Sequence, residues 1–99
     1  MKFRFADSKL KRLYLYGTGS EGYPLGIVEA FKRRVRTIEG AKDERDLRAL
    51  KSLHFEKLKS ERNRYSIRLN KGWRLILTIE KDEDGKTVVL IEINNHYGD

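Results

Sequence analysis

The sequence predicts an α+β fold in which helices cover one face of a mostly antiparallel sheet. Two stretches of the N-terminal half space their apolar residues as helices do, whereas beyond residue 52 apolar and polar residues alternate as in strands. Helices followed by a run of strands are typical of α+β domains. The chain has 99 residues, of which 38% are hydrophobic, so we expect one core and a single domain over residues 1–99.

The first elements are a short strand and a helix. Phe3 and Phe5 alternate with charged residues, which predicts a strand over residues 2–5 that pairs into the sheet. Asp7 can cap the following helix, which ends near Gly17. The apolar stripe of this helix, spaced i, i+3 and i+4, consists of Leu10, Leu13 and Tyr14.

Two further helices are expected before the strands begin. Residues 17–26 contain four glycines and the only proline, which is typical of a loop. A second helix is expected from about Pro24, which suits a first helical turn, to Glu39. A third and shorter helix is expected from a cap at Asp43 to about Leu50. The second helix is expected to bury Val28, Phe31, Val35 and Ile38, and the third Leu47 and Leu50.

Four consecutive strands are expected in the second half of the chain, where apolar side chains recur every second residue. They cover residues 53–58, 64–70, 73–80 and 87–93. The connections at 70–72 and 82–86 each contain a glycine, and we expect both glycines to adopt positive φ in hairpin turns. These strands therefore form an antiparallel meander against which the helices pack.

The charge is strongly basic and unevenly distributed. The formal net charge is +7, from 22 basic and 15 acidic side chains. Residues 2–36 hold nine basic and three acidic groups and residues 51–74 hold eight and two, so each block carries +6, whereas residues 75–99 hold two and six. Such blocks favour a polyanionic partner, nucleic acid first and an anionic membrane second. The alternative is that the charges only solvate a small domain.

Several classes of protein are excluded by composition. The absence of cysteine excludes a disulfide scaffold, a cysteine nucleophile and thiolate metal sites, and it fits a reducing cytoplasm. With two histidines and no His-x-x-x-His pair we expect neither a metal site nor a cofactor, and the acidic cluster at 82–84 is interpreted as a hairpin tip. No apolar run approaches the ~20 residues of a membrane span, so we expect a cytoplasmic protein without membrane contact.

Strand alternation brings two arginines together on the uncovered face of the predicted sheet. Arg68 and Arg74 lie on neighbouring strands, opposite the apolar residues that pack under the helices. Guanidinium groups grip phosphate through two parallel hydrogen bonds, so this face is suited to nucleic acid. The alternative is that the two arginines pair with Glu92 and Glu56 across the strands. Further cations are expected beside them: Lys57, Lys59, Arg62 and Arg64.

Of the two histidines, His96 is the remaining candidate for acid–base chemistry. His96 lies in the C-terminal run Glu92-Ile93-Asn94-Asn95-His96-Tyr97, close to the expected end of the last strand. An unperturbed histidine has a pKa near ~6.5 and can accept or donate a proton at neutral pH. A merely solvated tail is the alternative for His96, and a surface or packing role is the alternative for His54.

The second half of the chain resembles the HigB-type killer toxins of the RelE/ParE superfamily. In that family a Leu-Lys-Gly-x-Arg stretch precedes a Ser-Ile-Arg-Val-Asn strand, a Trp-Arg strand follows, and a closing strand ends near Asp-Tyr-His. The matching residues here are Leu58, Lys59, Arg62, Ser66, Ile67, Arg68, Asn70, Trp73 and Arg74. The first half agrees in outline, with a short strand and two helices. Ser60 replaces the family's glycine, and Asn95-His96-Tyr97 replaces Asp-Tyr-His.

The resemblance implies a toxin of a type II toxin–antitoxin system that cleaves messenger RNA in the ribosomal decoding site. Its implied partners are the ribosome, the messenger RNA and a cognate helix-turn-helix antitoxin. Two other functions stay open, because a shared fold does not decide function. One is a ParE-like poison of DNA gyrase, and the other is an inactive relative that only binds RNA and its antitoxin.

The resemblance also assigns roles to particular residues. Metal-free cleavage of RNA needs a base, an acid and cations that stabilise the phosphorane. Arg68 and Arg74 are the expected stabilisers, and His96 and Tyr97 the expected acid–base groups, although a tyrosine is a weak base unless cations lower its pKa from ~10. Trp73 is expected in the core, so base stacking falls to Tyr97, His54 or Phe55. The predicted RNA-binding residues are Lys57, Lys59, Arg62, Arg64, His54 and Asn95.

Overall fold

The computed structural model describes residues 1–95, which form a five-stranded sheet with helices packed on one of its faces. Two single turns of 3-10 helix, Ser20–Gly22 and Lys51–Leu53, lie in the connections. None of the helices in this part of the chain is both long and apolar enough to cross a bilayer. The elements, in chain order, are β1 Lys2–Phe5, α1 Ser8–Tyr16, α2 Ile27–Gly40, α3 Glu44–Ala49, β2 Glu56–Lys57, β3 Tyr65–Arg68, β4 Arg74–Asp82 and β5 Gly85–Asn94.

The sheet is the predicted meander with the N-terminal strand added at one edge. Its order is β1-β5-β4-β3-β2, with β1 parallel to β5 and all other neighbours antiparallel. The pairing of β4 with β5 is interrupted by a bulge, since Ile76 lies opposite Glu92 but Leu77 lies opposite Leu90. Ile91 is therefore the extra residue, and the bulge bends β5 just before its C-terminal end.

The core lies between the helices and one face of the sheet. Phe31, Val35 and Ile38 of α2 are fully buried against this face. The alternate positions of β3 and β4 point to the opposite face, where Arg68 and Arg74 lie with Ser66 and the buried Ile76. The strand residues in the core are Ile67, Leu75, Leu77, Val88, Leu90 and Ile93.

Helix α1 follows the prediction closely. The side chain of Asp7 accepts a hydrogen bond of 2.8 Å from the backbone N–H of Leu10, which caps the helix. The helix ends at Gly17, whose φ of 75° provides the left-handed C-cap. Leu10 and Leu13 are buried, and Tyr14 contacts the Phe31 ring edge-on at 6.1 Å.

Helix α2 starts three residues later than predicted. The carbonyl of Pro24 accepts a hydrogen bond from the N–H of Ile27 in a separate turn, and Gly26 precedes the helix with a φ of 88°. Ile27 lies four residues before Phe31, on the same side of the helix, and is fully buried. Val28 packs against the core, as predicted, but it is only partly buried.

Helix α3 confirms the cap at Asp43 but ends at Ala49. Leu50 has extended backbone angles and is 47% exposed, so the prediction that it faces the core was wrong. The chain turns there into the 3-10 turn that buries Leu53 instead.

Strand β2 is two residues long instead of the six predicted. His54 has left-handed backbone angles, φ 46° and ψ 49°, which a continuous strand does not allow. In the hairpin at the other end of the sheet Gly85 has a φ of 113°, as predicted. Gly72 does not adopt positive φ, because the Asn70 side chain accepts hydrogen bonds from the N–H groups of Gly72 and Trp73 and so forms that turn.

Candidate functional site

Arg68 and Arg74 lie directly opposite each other at one end of β3 and β4. Their neighbours Ile67 and Leu75 are fully buried in the core, so strand alternation directs both arginines to the face without helices. Both side chains are partly exposed. The guanidinium groups of Arg68 and Arg74 therefore belong to neighbouring residues on the open face.

Each arginine has a side-chain partner on this face. The Nη1 atom of Arg68 lies 3.3 Å from Nε2 of His54, and Nη1 of Arg74 donates to Oγ of Ser66 over 3.4 Å. A guanidinium group can only donate, so a hydrogen bond between these two atoms requires the tautomer of His54 in which Nε2 is the acceptor. The contact joins a group that can accept a proton to one that can bind phosphate.

Neither arginine is neutralised by a carboxylate within the described part of the chain. The ion pairs there are Arg4 with Glu80, Arg45 with Asp43, and Lys86 with Glu44. Glu92 and Glu56 flank Ile76 and Ser66 on the same face but form no ion pair with Arg68 or Arg74. The cross-strand ion pairs considered as an alternative are thus absent between these residues.

The structure separates the other predicted cations from the two arginines. Lys57 lies opposite Tyr65, which packs against the core, so Lys57 points away from the open face and its predicted place beside the arginines was wrong. Lys59 and Arg62 are exposed in the β2–β3 connection. Arg64 shares the face of Arg68 but lies four residues away, about 13 Å along the strand. These cations form a second group at the far end of β3.

The C-terminal end of β5 completes the row across the sheet. Asn94 lies opposite Arg74, and Asn95 follows it as an exposed residue. His96 and Tyr97, the predicted acid–base groups, lie outside the described residues. His54, Arg68, Arg74 and Asn94 thus lie side by side at the same end of four chain segments.

The aromatic residues near the site are engaged in packing. Trp73 is partly buried against the core and contacts Tyr23 edge-to-face at 5.8 Å, as expected of a core residue. Phe55 is 8% exposed, and its ring stacks on that of Tyr65 with 5.2 Å between the ring centroids. The guanidinium carbon of Arg48 lies over the Phe55 ring, 5.1 Å from its centroid. Phe55 is therefore not free to stack on a base, and His54 remains as the exposed aromatic ring beside Arg68.

Arg34 of α2 bonds the backbone of the site, and it was not identified from the sequence. Its Nε donates to the carbonyl of Arg68 over 3.1 Å, and its Nη2 donates to the carbonyl of Ser52 over 3.4 Å. Partial burial, with a contribution from Arg33, lowers the pKa of Arg34. No local pattern marks this residue, because its partners lie 34 and 18 positions further along the chain.

No group of three or more histidine, aspartate or glutamate side chains within residues 1–95 is arranged to hold a metal ion. The acidic cluster at 82–84 is a hairpin tip, where the Asp82 side chain accepts from the N–H of Asp84 over 2.8 Å. The polar groups on the open face are therefore the two guanidinium groups with His54, Ser66 and Asn94, beside the carboxylates of Glu56 and Glu92.

Known proteins resemble this chain in sequence and in fold. Residues 3–97 match the family model described as RelE-like toxin of type II toxin-antitoxin system HigB. An uncharacterised protein of Haemophilus influenzae is 32% identical over 96 residues, which cover 96% of this chain and 86% of that protein. A YoeB/ParE toxin from Agrobacterium tumefaciens has a similar fold, with a TM-score of 0.57 at 17% identity over 98% of this chain and 100% of that one.

Proposed function

This chain belongs to the HigB-like family of RelE-like toxins of type II toxin–antitoxin systems, and we propose that it is an endoribonuclease that cleaves messenger RNA in the ribosomal decoding site without a metal ion. The observation that carries this proposal is the cross-strand pair Arg68 and Arg74 on the open face, with His54 in contact with Arg68. Cations that form no ion pair with a carboxylate of residues 1–95, beside a ring nitrogen that can accept a proton, suit the cleavage of a phosphodiester.

The reaction would be an internal displacement at phosphorus. The 2′-oxygen loses its proton to a base and bonds to phosphorus, and the bond from phosphorus to the 5′-oxygen breaks while an acid protonates that oxygen. The products are a 2′,3′-cyclic phosphate and a 5′-hydroxyl. Negative charge accumulates on the phosphorane oxygens, and fixed cations at this position typically contribute about 10²–10³ in rate each.

His54 and Arg68 would exchange partners when RNA binds. In the free protein Nε2 of His54 accepts from Arg68. Once Arg68 turns to the phosphate, Nε2 is released and can take the proton of the 2′-hydroxyl. His96 or Tyr97 would then protonate the leaving oxygen, as the resemblance to the family suggests.

The cations at the far end of β3 would hold the RNA backbone. Arg64 lies on the same face as Arg68, and Lys59 and Arg62 are exposed in the adjoining connection. Contacts to phosphate position a nucleic acid without reading its bases. Asn95, exposed at the end of β5, is the remaining candidate for a contact to a base.

The test is cleavage of messenger RNA on translating ribosomes by the purified protein, mapped by primer extension. We expect Arg68→Ala and Arg74→Ala to lower the cleavage rate by about 10²–10³ each, and His54→Ala to lower it and change its pH dependence. Arg4→Ala is the matched control, because Arg4 lies on the same face but is already paired with Glu80.

Two results would count against this function. Full cleavage by a well-folded variant lacking both Arg68 and Arg74 would show that the site is wrong. Intact messenger together with inhibited DNA gyrase would favour a ParE-like poison instead, and intact messenger with RNA binding alone would indicate an inactive relative.

A further inference from the structure

Helix α1 exposes large apolar side chains on the side that faces away from the core. Leu10 and Leu13 are buried, but Leu15 is 50% exposed and Tyr16 76% exposed. A helix with apolar residues on both sides is normally covered on both sides. The outer side of α1 is therefore built like a surface that receives a partner.

A third apolar side chain lies at the same end of the helix pair. Leu25, in the connection to α2, is fully exposed. The contact of Tyr14 with Phe31 shows that the C-terminal end of α1 lies beside the N-terminal end of α2, where Leu25 is located. Among residues 1–95 the exposed large hydrophobic side chains are these three and Leu50, which follows α3. Exposed apolar side chains that are neighbours, as Leu15 and Tyr16 are on α1, mark interaction sites more often than single exposed residues do.

The same side of α1 carries positive charge only. Lys11 lies four residues before Leu15, and Arg12 four residues before Tyr16, so each cation is next to an apolar side chain on the helix surface. Lys9 adds a third cation, and α1 contains no acidic residue. None of the three forms an ion pair with a described residue.

A hollow of about 450 Å³ opens beside this helix. Leu13, Ile91 and Ile93 are among its apolar lining residues, and Lys9 and Arg12 of α1 also line it. Asp7 and Glu92 contribute carboxylates to the lining, so the hollow suits an uncharged anchor side chain better than an acidic one.

We propose that this surface, formed by Lys9, Lys11, Arg12, Leu15, Tyr16 and Leu25, binds an acidic amphipathic segment of the antitoxin. Acidic side chains of the partner would meet the three cations, and its apolar side chains would cover Leu15, Tyr16 and Leu25. An RNA backbone would satisfy the cations but leave the apolar side chains exposed, and therefore a protein partner fits better. The assignment rests on the chain's family and is independent of the proposed RNA cleavage.

The test uses the full-length toxin and the antitoxin encoded beside it, with the affinity measured by calorimetry. The double variant Leu15→Gln/Tyr16→Gln removes the apolar contacts, and Lys11→Glu/Arg12→Glu reverses the charge. We expect each to weaken antitoxin binding at least tenfold, and growth inhibition to persist in cells that also produce the antitoxin. Leu50→Gln is the matched control, because Leu50 is 47% exposed on another element.

Affinities equal to that of the wild type in both double variants would overturn the assignment. So would a loss of ribosome binding with unchanged antitoxin binding, which would assign this surface to RNA. If the wild type cuts no messenger but the variants still lose antitoxin affinity, only the proposed nuclease function fails. Circular dichroism of each variant establishes that the fold is retained.

Discussion

Arg34 shows how a residue outside the open face can control its geometry. One guanidinium bonds both the carbonyl of Arg68, which ends β3, and the carbonyl of Ser52, in the turn just before His54. It therefore links the two chain segments whose side chains meet at 3.3 Å on the other side of the sheet. A lysine also has enough donors for two carbonyls, but they all lie on one nitrogen, whereas Arg34 reaches the two carbonyls from Nε and Nη2 of a rigid plane.

We predict that Arg34→Ala lowers messenger cleavage by more than tenfold and destabilises the fold by about 1 kcal/mol, since the partly buried hydrogen bond to the Arg68 carbonyl and the exposed one to the Ser52 carbonyl are both lost. Arg34→Lys should recover most of the stability but only part of the rate. Arg33→Ala is the control, because Arg33 is exposed and next in the sequence. Urea unfolding and single-turnover cleavage provide the two measurements, and a lysine variant with full activity would show that the fork is dispensable.

The face of the sheet on which a residue lies could be predicted wherever strand alternation alone determines it. The two-residue period placed Arg68 and Arg74 on one face, and the short turn at 70–72 brought them opposite each other. The predicted position of Lys57 was wrong, because the register of the two-residue strand β2 against β3 cannot be derived from the composition of β2. The contact of His54 with Arg68 depends on a left-handed residue after a 3-10 turn, which no hydrophobic pattern signals.

Among the elements, α3 is held by two ion pairs at its first turn. Arg45 bonds the Asp43 carboxylate at 2.8 Å and lowers the pKa of Asp43 to about 2. Lys86, on the β4–β5 hairpin, bonds Glu44 at 2.6 Å and lowers the pKa of Glu44. The second pair ties the start of α3 to the far end of the sheet, 42 residues further along the chain.

These carboxylates predict a particular dependence of stability on pH. A carboxyl whose pKa is lower in the folded than in the unfolded protein stabilises the fold above its unfolded pKa, and this contribution is lost as the pH falls through the folded pKa. For Asp43 the window runs from its ordinary value of 3.8 down to about 2. Asp43→Asn retains an oxygen that can cap α3 but loses the charge facing Arg45.

We therefore expect Asp43→Asn to be slightly less stable than the wild type above about pH 4, with a difference that shrinks from pH 4 to the folded pKa of about 2 and disappears below it. Urea unfolding at a series of pH values measures the difference. Asp84→Asn, at the exposed hairpin tip, controls for the loss of one surface carboxylate. A difference that stays constant from pH 5 to pH 2 would show that the bond to Arg45 does not persist in solution.

Element boundaries were harder to predict than element types. The three helices and five strands were all expected, because apolar residues recur with a different period on the buried side of a helix and on that of a strand. The predicted start of α2 at Pro24 was wrong, because a proline is equally suited to a turn and a glycine to left-handed backbone angles. Pro24 lies in such a turn and Gly26 has such angles, so the helix begins only at Ile27. The end of α3 was missed because Leu50 continues the apolar spacing although the chain has already left the helix.

For the whole molecule, charge is segregated along the sheet. Arg74 begins β4 and the acidic hairpin tip ends it, eight residues and about 26 Å away, within a molecule whose longest extent is 38 Å. An RNA chain is thus repelled from the hairpin tip itself, and the cations that could hold it extend from Arg74 and Arg68 to the β2–β3 connection, where Asn63 bonds the Ile79 carbonyl. Cations that contact phosphate release condensed counterions, so binding must weaken as salt rises, by a slope of about 0.7 per contact for single strands.

We predict that Lys59→Ala/Arg62→Ala reduces this slope by about 1.4, because two phosphate contacts are lost. The measurement is the affinity for a single-stranded RNA with 2′-O-methyl groups, which cannot be cleaved by attack of its own 2′-oxygens, over a range of salt concentrations. Lys81→Ala is the control, since Lys81 adjoins the acidic hairpin tip and should leave the slope unchanged. Equal slopes for the double variant and the wild type would mean that the far end of β3 holds no phosphate, and the bound RNA would then have to lie along the row from His54 to Asn94 alone.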